Sequence, residues 1–99
     1  MVKHVIIWDL KDEFSDEKKA ELKAEIKRSL ESLNGKIEGL KELKIITDIL
    51  GSSNGDIMLD SVFTDEEALK AYAADPLHVA AAEVVKSSTK ARKCIDFKI

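Results

Sequence analysis

The stretch Val2–Leu10, VKHVIIWDL, limits the possible folds more than any other part of the chain. In an extended strand successive side chains point to opposite faces, so Val5 and Ile7 share one face. Ile6 and Trp8 share the other face. A strand that is apolar on both faces is typical of the centre of a sheet that is covered on both sides. We therefore expect two covering layers.

A histidine lies within this apolar strand. His4 has the same parity as Ile6 and Trp8, so it points to the same face as these two side chains. A layer that covers this face would leave His4 in an apolar pocket.

The composition favours one small globular domain. Residues 1–99, with 44% hydrophobic residues, are enough for one core but not for two. No apolar run approaches the roughly 20 residues of a membrane-spanning helix, and no cleavable leader pattern is found at the start. The single Cys94 cannot form an internal disulfide, so a cytoplasmic location is expected. With a net charge of −3 and no basic patch, we do not expect the chain to bind nucleic acid.

The first helix is predicted from its cap and its periodicity. Ser15 is a good N-cap, and acidic residues follow it in the first turn. Apolar residues then recur at steps of four, four and three, which is typical of one buried stripe. This stripe consists of Leu22, Ile26, Leu30 and Leu33. Asn34-Gly35 provides a left-handed stop.

Three more strands and a second helical segment follow. Residues Leu43–Leu50, Ile57–Phe63 and Arg92–Ile99 have strand patterns, and the first two are close enough to form a hairpin. Thr64 and Glu67 form a capping box at the start of the second helix.

A proline interrupts this second helix. The residue before a proline avoids helical geometry, so Asp75-Pro76 should break the helix after Tyr72, and a helix should resume over Leu77–Val85.

This order of elements is β-α-β-β-α-β, which predicts an α+β, ferredoxin-like fold with a four-stranded antiparallel sheet. Both helices should then pack on one face of the sheet. We expect the opposite face, with Ile6 and Trp8, to be an apolar patch that a second copy covers in a two-fold dimer. The space between the sheet and its cover is then the natural ligand site.

Three residues are candidates for chemistry, namely His4, Tyr72 and His78. A neutral imidazole can accept a proton near pH 7, and a phenol can hydrogen-bond a carbonyl or its oxyanion. Structural roles are equally open: His4 could bond a backbone carbonyl, His78 could cap a helix and Tyr72 could be a core aromatic.

No metal or cofactor is expected. The two histidines form no local pair with metal-ligand spacing, and no glycine-rich phosphate loop or serine nucleophile motif is present. Cys94 is interpreted as an inert strand residue. Asp60 and Asp96 lie within strand patterns, and either could orient a histidine.

The opening K-H-V-I-I-W-D-L-K, the segment F-T-D-E-E-A-L-K-A-Y-A-A-D-P-L-H-V and the closing I-D-F resemble the stress-responsive alpha/beta-barrel (Dabb) domain family. The resemblance spans nearly the whole chain. It implies a homodimer in which two ferredoxin-like chains form an alpha/beta barrel. Two departures are evident, since Asp75 stands where the family often has histidine and the first helix lacks pocket aromatics.

A plant polyketide cyclase of this family is similar at the same places, and the resemblance implies that its catalytic histidine and tyrosine fall on His78 and Tyr72, with His4 assisting. Its chemistry is a cofactor-free aldol cyclisation. The resemblance also places Ile26 on the pocket wall, so Ile6, Trp8 and Ile26 are the expected substrate-binding residues.

Three functions remain open at this point. The first is a homodimeric protein that binds a small aromatic or polyketide-like ligand in the barrel cavity. The second is a cofactor-independent cyclase, isomerase or monooxygenase-like enzyme with His78 as general base. The third is an assembly module with a solid interior. A cavity lined by His4, Tyr72 and His78 would argue against the third.

Overall fold

The computed structural model describes residues 1–99 as four strands and four helices. Their bounds are β1 Val2–Leu10, α1 Asp16–Glu31, β2 Leu40–Ile46, β3 Ile57–Phe63, α2 Glu66–Ala74, α3 Pro76–Ala81, α4 Glu83–Ser88 and β4 Thr89–Lys98. The strands form one antiparallel sheet in the order β2-β3-β1-β4. This topology confirms the predicted ferredoxin-like fold, with the second helical segment divided into three short helices.

The strand β1 lies in the middle of the sheet, between β3 and β4. The helices cover the face that carries His4, Ile6 and Trp8, all of which are buried within a single chain. The expectation that a second copy covers this face is wrong. The reason is charge, because the other face of β1 carries Lys3 and Asp9, and a helix-covered face excludes free charges.

The opposite face of the sheet, called the outer face below, has no cover within the chain. It carries Val5, Ile7, Ile95 and Phe97, and the last three of these are exposed. An ion pair of 2.6 Å between Lys3 and Asp60 lies on the same face.

The helix α1 begins as the sequence predicts. The hydroxyl of Ser15 accepts a hydrogen bond from the backbone N–H of Lys18, and the apolar stripe of α1 packs into the core. The turn after α1 then supports the edge strand β2. The amide of Asn34 bonds both the N–H and the C=O of Leu43, as a neighbouring strand would.

The second helical segment differs from the prediction at its cap. Asp65 rather than Thr64 is the N-cap of α2, and its carboxylate accepts the N–H of Ala68. Pro76 starts α3 with Asp75 as its N-cap, so the predicted break is confirmed. No helix is both long and apolar enough to cross a membrane.

Two strand bounds also differ from the prediction. The strand β2 occupies Leu40–Ile46 rather than Leu43–Leu50, and β4 starts at Thr89 rather than at Arg92. Residues 47–50 have no regular structure, although they continue the apolar pattern. Side chains outside the strand fix where β2 pairs, because Asn34 bonds Leu43 and the carboxylate of Glu31 accepts the N–H of Ile45.

Candidate functional site

A cavity of about 960 Å³ lies between the helices α2–α4 and the strands β1 and β4 of one chain. Its walls are largely apolar and include Ile6, Trp8, Leu69 and Val85. The cavity opens beside β4, because this edge strand is not covered by the helices and is exposed over nearly its whole length. A volume of this size is typical of sites for small organic ligands.

The three predicted chemical residues, His4, Tyr72 and His78, all line this cavity. Of the predicted substrate-binding residues, Ile6 and Trp8 line it as well. Ile26 does not line it, because its side chain is 0% exposed and lies in the core. The placement of Ile26 on the pocket wall is therefore wrong.

Tyr72, which lines the cavity, has a hydroxyl without a hydrogen-bond partner. The residue is only 2% exposed, and its Oη is buried without a hydrogen-bond partner. Burial raises the pKa of Tyr72 to about 12, so the phenol is neutral at pH 7 and can donate a hydrogen bond. A buried hydroxyl without a partner costs about 1–3 kcal/mol. A ligand that accepts this hydrogen bond would remove that cost.

The ring of His78 contacts the ring of Tyr72 because the helix breaks between them. Residues six apart on a continuous helix point about 120° away from each other. The break at Pro76 turns the chain, and the two rings lie 4.1 Å apart between centroids with an interplanar angle of 36°.

The environment of His78 favours a neutral imidazole. Its Nδ1 lies 3.4 Å from the carbonyl oxygen of Ala73, and only an Nδ1–H can donate to that oxygen. Burial lowers the pKa of His78, and the nearby His4 adds to this effect. The Nε2 is then the unprotonated nitrogen, which can accept a proton near pH 7.

His4 belongs to a polar cluster on the β1 and β4 side of the cavity. The strand register places Asp96 directly opposite His4, and the carboxylate of Asp96 contacts His4 Nδ1. The thiol of Cys94 lies 3.7 Å from the same nitrogen and 3.5 Å from the carboxylate. Partial burial raises the pKa of the Cys94 thiol, and Asp96 adds to this shift.

Sequence reasoning missed this cluster of His4, Cys94 and Asp96 as a unit. It treated Cys94 as inert and found no metal-ligand spacing, because the cluster joins the two ends of the chain. Pairing of the first and last strands in an antiparallel register was the signal that could have found it.

The rim of the cavity is basic although the chain has a net charge of −3. Four cationic side chains line it, and none of the four is in an ion pair with a carboxylate. They are Lys70, Lys86, Arg92 and Lys98. Two carboxylates, of Glu66 and Asp96, lie among them. The potential at the rim therefore favours an anion.

Solved structures of similar fold include two with more than a quarter of residues identical. A dimeric ferredoxin-like protein of unknown function from Bacteroides fragilis is 28% identical, with a TM-score of 0.92, over 99% of this chain and 95% of that chain. The At3g17210 protein from Arabidopsis thaliana is 29% identical, with a TM-score of 0.78, over 100% of this chain and 95% of that chain.

A hydroxynitrile lyase from Passiflora edulis is 16% identical, with a TM-score of 0.75, over 99% of this chain and 92% of that chain. This likeness concerns the fold alone. A search of the curated proteins found no significant match. The model of the stress responsive A/B barrel domain, Dabb, matches residues 2–99. The chain therefore belongs to the Dabb family.

Proposed function

We propose that this protein is a homodimer in which each chain binds a small organic acid in the cavity under its helices. The unpartnered, buried Tyr72 hydroxyl is the observation that carries the proposal. Native proteins pair the large majority of their buried polar groups, so a single exception on a residue that lines a cavity points to a bound partner.

The walls and the rim of the cavity specify the class of ligand. The apolar floor beside Ile6 and Trp8 suits an aromatic or alkyl body, such as that of a polyketide-like acid. The hydroxyl of Tyr72 suits a carbonyl, a carboxylate or a phenol oxygen. The unpaired cations of the rim, among them Lys70 and Lys86, suit a carboxylate.

The single tryptophan provides the test, because Trp8 lines the cavity. We expect 4-butylbenzoate to change the fluorescence of Trp8 saturably and to bind more tightly than its neutral methyl ester. Y72F should weaken binding about 10- to 100-fold, because one hydrogen bond to a charged group is worth about 1.5–3 kcal/mol. S87A, which removes an exposed hydroxyl outside the cavity, should leave binding unchanged.

The rim makes a separate contribution that a charge variant isolates. K70Q should weaken binding of the acid but not of the ester. K41Q, which removes an exposed lysine of β2 away from the cavity, should change neither. Equal binding of acid and ester by the wild type, or equal affinities of wild type and Y72F, would reject the proposed ligand class.

A second function, cofactor-independent proton transfer, is favoured by the close contact of the His78 and Tyr72 rings. In such a cyclase, isomerase or monooxygenase-like enzyme, Nε2 of His78 would take a proton from an acidic carbon. Tyr72 would donate a hydrogen bond to the developing enolate oxygen, and His4, oriented by Asp96, would assist.

Deuterium exchange tests this second function without knowledge of the natural substrate. We expect the wild type to accelerate exchange of the α-protons of phenylacetone in D₂O, and H78A to lose the acceleration. If H78A exchanges these protons as fast as the wild type, His78 is not the base, although ligand binding could persist.

The homodimer is supported by the outer face and by a relative. The outer face exposes Ile7, Ile95 and Phe97, and such a patch on a small chain is typical of an interface. The B. fragilis protein, which matches nearly the whole chain, is described as dimeric. We propose that two outer faces pack together and that the cytoplasm is the site of action.

A further inference from the structure

We propose that His4, Cys94 and Asp96 bind one divalent transition-metal ion, with Zn²⁺ the best fit, on the β1 and β4 side of the cavity. This inference goes beyond the proposed function, because the site lies within one chain and requires neither the organic acid nor the dimer.

The strand register brings the three ligands together. Cys94 and Asp96 are two residues apart on β4, so their side chains point to the same face. Asp96 pairs with His4 across the strands, and Cys94 pairs with Ile6. All three side chains therefore converge on the helix-facing side of the sheet, on two rigid neighbouring strands rather than on loops.

Two of the three distances between the ligand atoms fit the edges of a coordination tetrahedron. Zinc binds sulfur at about 2.3 Å and nitrogen or oxygen at about 2.0–2.1 Å, so adjacent ligand atoms should lie about 3.4–3.6 Å apart. Sγ of Cys94 lies 3.7 Å from His4 Nδ1 and 3.5 Å from Asp96 Oδ1. All three ligand atoms lie within 4.8 Å of one another.

One edge must lengthen on metal binding. His4 Nδ1 and Asp96 Oδ1 are in direct hydrogen-bond contact, so the ion would replace the proton that they share. The side chain of Asp96 is 45% exposed and has room to retract. His4 is held in place, because Ser61 Oγ donates a hydrogen bond of 2.8 Å to its backbone carbonyl.

The donor set selects the metal. A thiolate and an imidazole favour zinc and similar transition metals, whereas magnesium and calcium prefer oxygen donors alone. A dipositive ion would also be neutralised by one thiolate and one carboxylate. Three protein ligands leave a fourth position, and the three line the cavity, so that position would be available to water or to an oxygen of the bound acid.

Cobalt substitution gives a direct readout, because Cys94 is the single cysteine of the chain. Metal-free protein titrated with Co²⁺ should develop a thiolate-to-cobalt charge-transfer band that saturates at one ion per chain. The band should disappear in C94S, and Zn²⁺ should displace the cobalt.

Calorimetry with Zn²⁺ alone completes the test. Affinity should fall at least tenfold in C94S and in D96N, whose side chains are exposed and tolerate the change. D48N, which alters an exposed carboxylate elsewhere, should match the wild type. Absence of the charge-transfer band, or equal Zn²⁺ affinity of wild type and C94S, would overturn the site. Binding of 4-butylbenzoate in the presence of EDTA reports separately on the proposed function.

Discussion

The hydroxyl of Tyr72 is a local cost to stability in the ligand-free chain, because it is buried and unpaired. Y72F removes only this oxygen and keeps the ring contacts with Phe63 and His78. We expect Y72F to raise the free energy of unfolding by about 1–3 kcal/mol. In a domain of this size, each 1 kcal/mol raises Tm by about 4–8 °C.

A second buried hydroxyl supplies the matched control. Ser61 Oγ is buried like that of Tyr72 but donates a hydrogen bond to the backbone of His4. S61A should therefore lower the free energy of unfolding by about 1 kcal/mol or more. If Y72F and S61A both destabilise the chain in thermal denaturation, the hydroxyl of Tyr72 is paired and the argument for a ligand there fails.

The ionisation of Tyr72 can be followed alone, because the chain has one tyrosine. Burial raises the pKa of Tyr72 to about 12, above the value of about 10 that is usual for tyrosine. The folded state thus holds the proton more tightly than the unfolded state. The contribution of Tyr72 ionisation to the free energy of unfolding is therefore fully present below pH 10, and it is lost as the pH rises through 10 toward 12.

We expect the tyrosinate absorbance of the folded protein to appear near pH 12. If it appears at lower pH, the far-ultraviolet circular dichroism should be lost at the same pH, because the chain then unfolds. In urea the same absorbance should appear near pH 10. A midpoint near 10 in a chain that is still folded would mean that water reaches the hydroxyl.

At the scale of the elements, local signals predicted most of the fold. The cap at Ser15, the break at Pro76 and the strand of Ile57–Phe63 are all confirmed. These signals depend on a few neighbouring residues, so a single sequence contains them. The predicted N-cap of α2, Thr64, and the observed one, Asp65, are adjacent, and both residue types are good N-caps. The local signal therefore locates this cap only to within one residue.

The faces of the sheet were predicted the wrong way round. Strict alternation in β1 separates its side chains into two sets but does not say which set the helices cover. One face of β1 carries the charged Lys3 and Asp9, and the other carries the apolar Trp8 and Leu10. These charges indicate which face the helices leave uncovered, because a helix-covered face excludes free charges. Long-range packing decided the outcome.

Gly39 lies directly before β2 and packs against α2, in a position that only glycine permits. Its φ is 84°, and a Cβ there would lie 2.5 Å from Cβ of Ala68 at the start of α2. We expect G39A to lower the free energy of unfolding by about 2–4 kcal/mol, from the left-handed backbone and the overpacking together.

Gly35 is the control for the backbone part of this effect. Its φ is 80°, but a Cβ there would meet nothing within 4 Å. G35A should therefore cost only about 1 kcal/mol in urea denaturation. Equal costs for G35A and G39A would show that the contact with Ala68 contributes nothing.

At the scale of the whole molecule, the site was predictable in part. His4, Tyr72 and His78 were singled out, and they do line one cavity. The cavity lies within one chain, however, whereas the sequence argument made it depend on a second copy. Cys94 and Asp96 meet His4 only through the pairing of the first and last strands, which no local spacing reveals.

The outer face supplies the last prediction. Ile95 is 65% exposed in the single chain and lies opposite Val5 at the centre of this face. If two outer faces pack together, I95K would bury an unpaired charge in the interface and should shift the protein from dimer to monomer. Light scattering after size-exclusion chromatography measures this shift.

L77K is the matched control, because Leu77 is similarly exposed but lies on α3, in the helical layer. It should leave the dimer intact. Because the cavity belongs to one chain, the I95K monomer should still bind 4-butylbenzoate with the affinity of the wild type. If the wild type is a monomer, or if I95K is still a dimer, the outer face is not the interface. If a folded I95K monomer no longer binds 4-butylbenzoate, the partner chain completes the site.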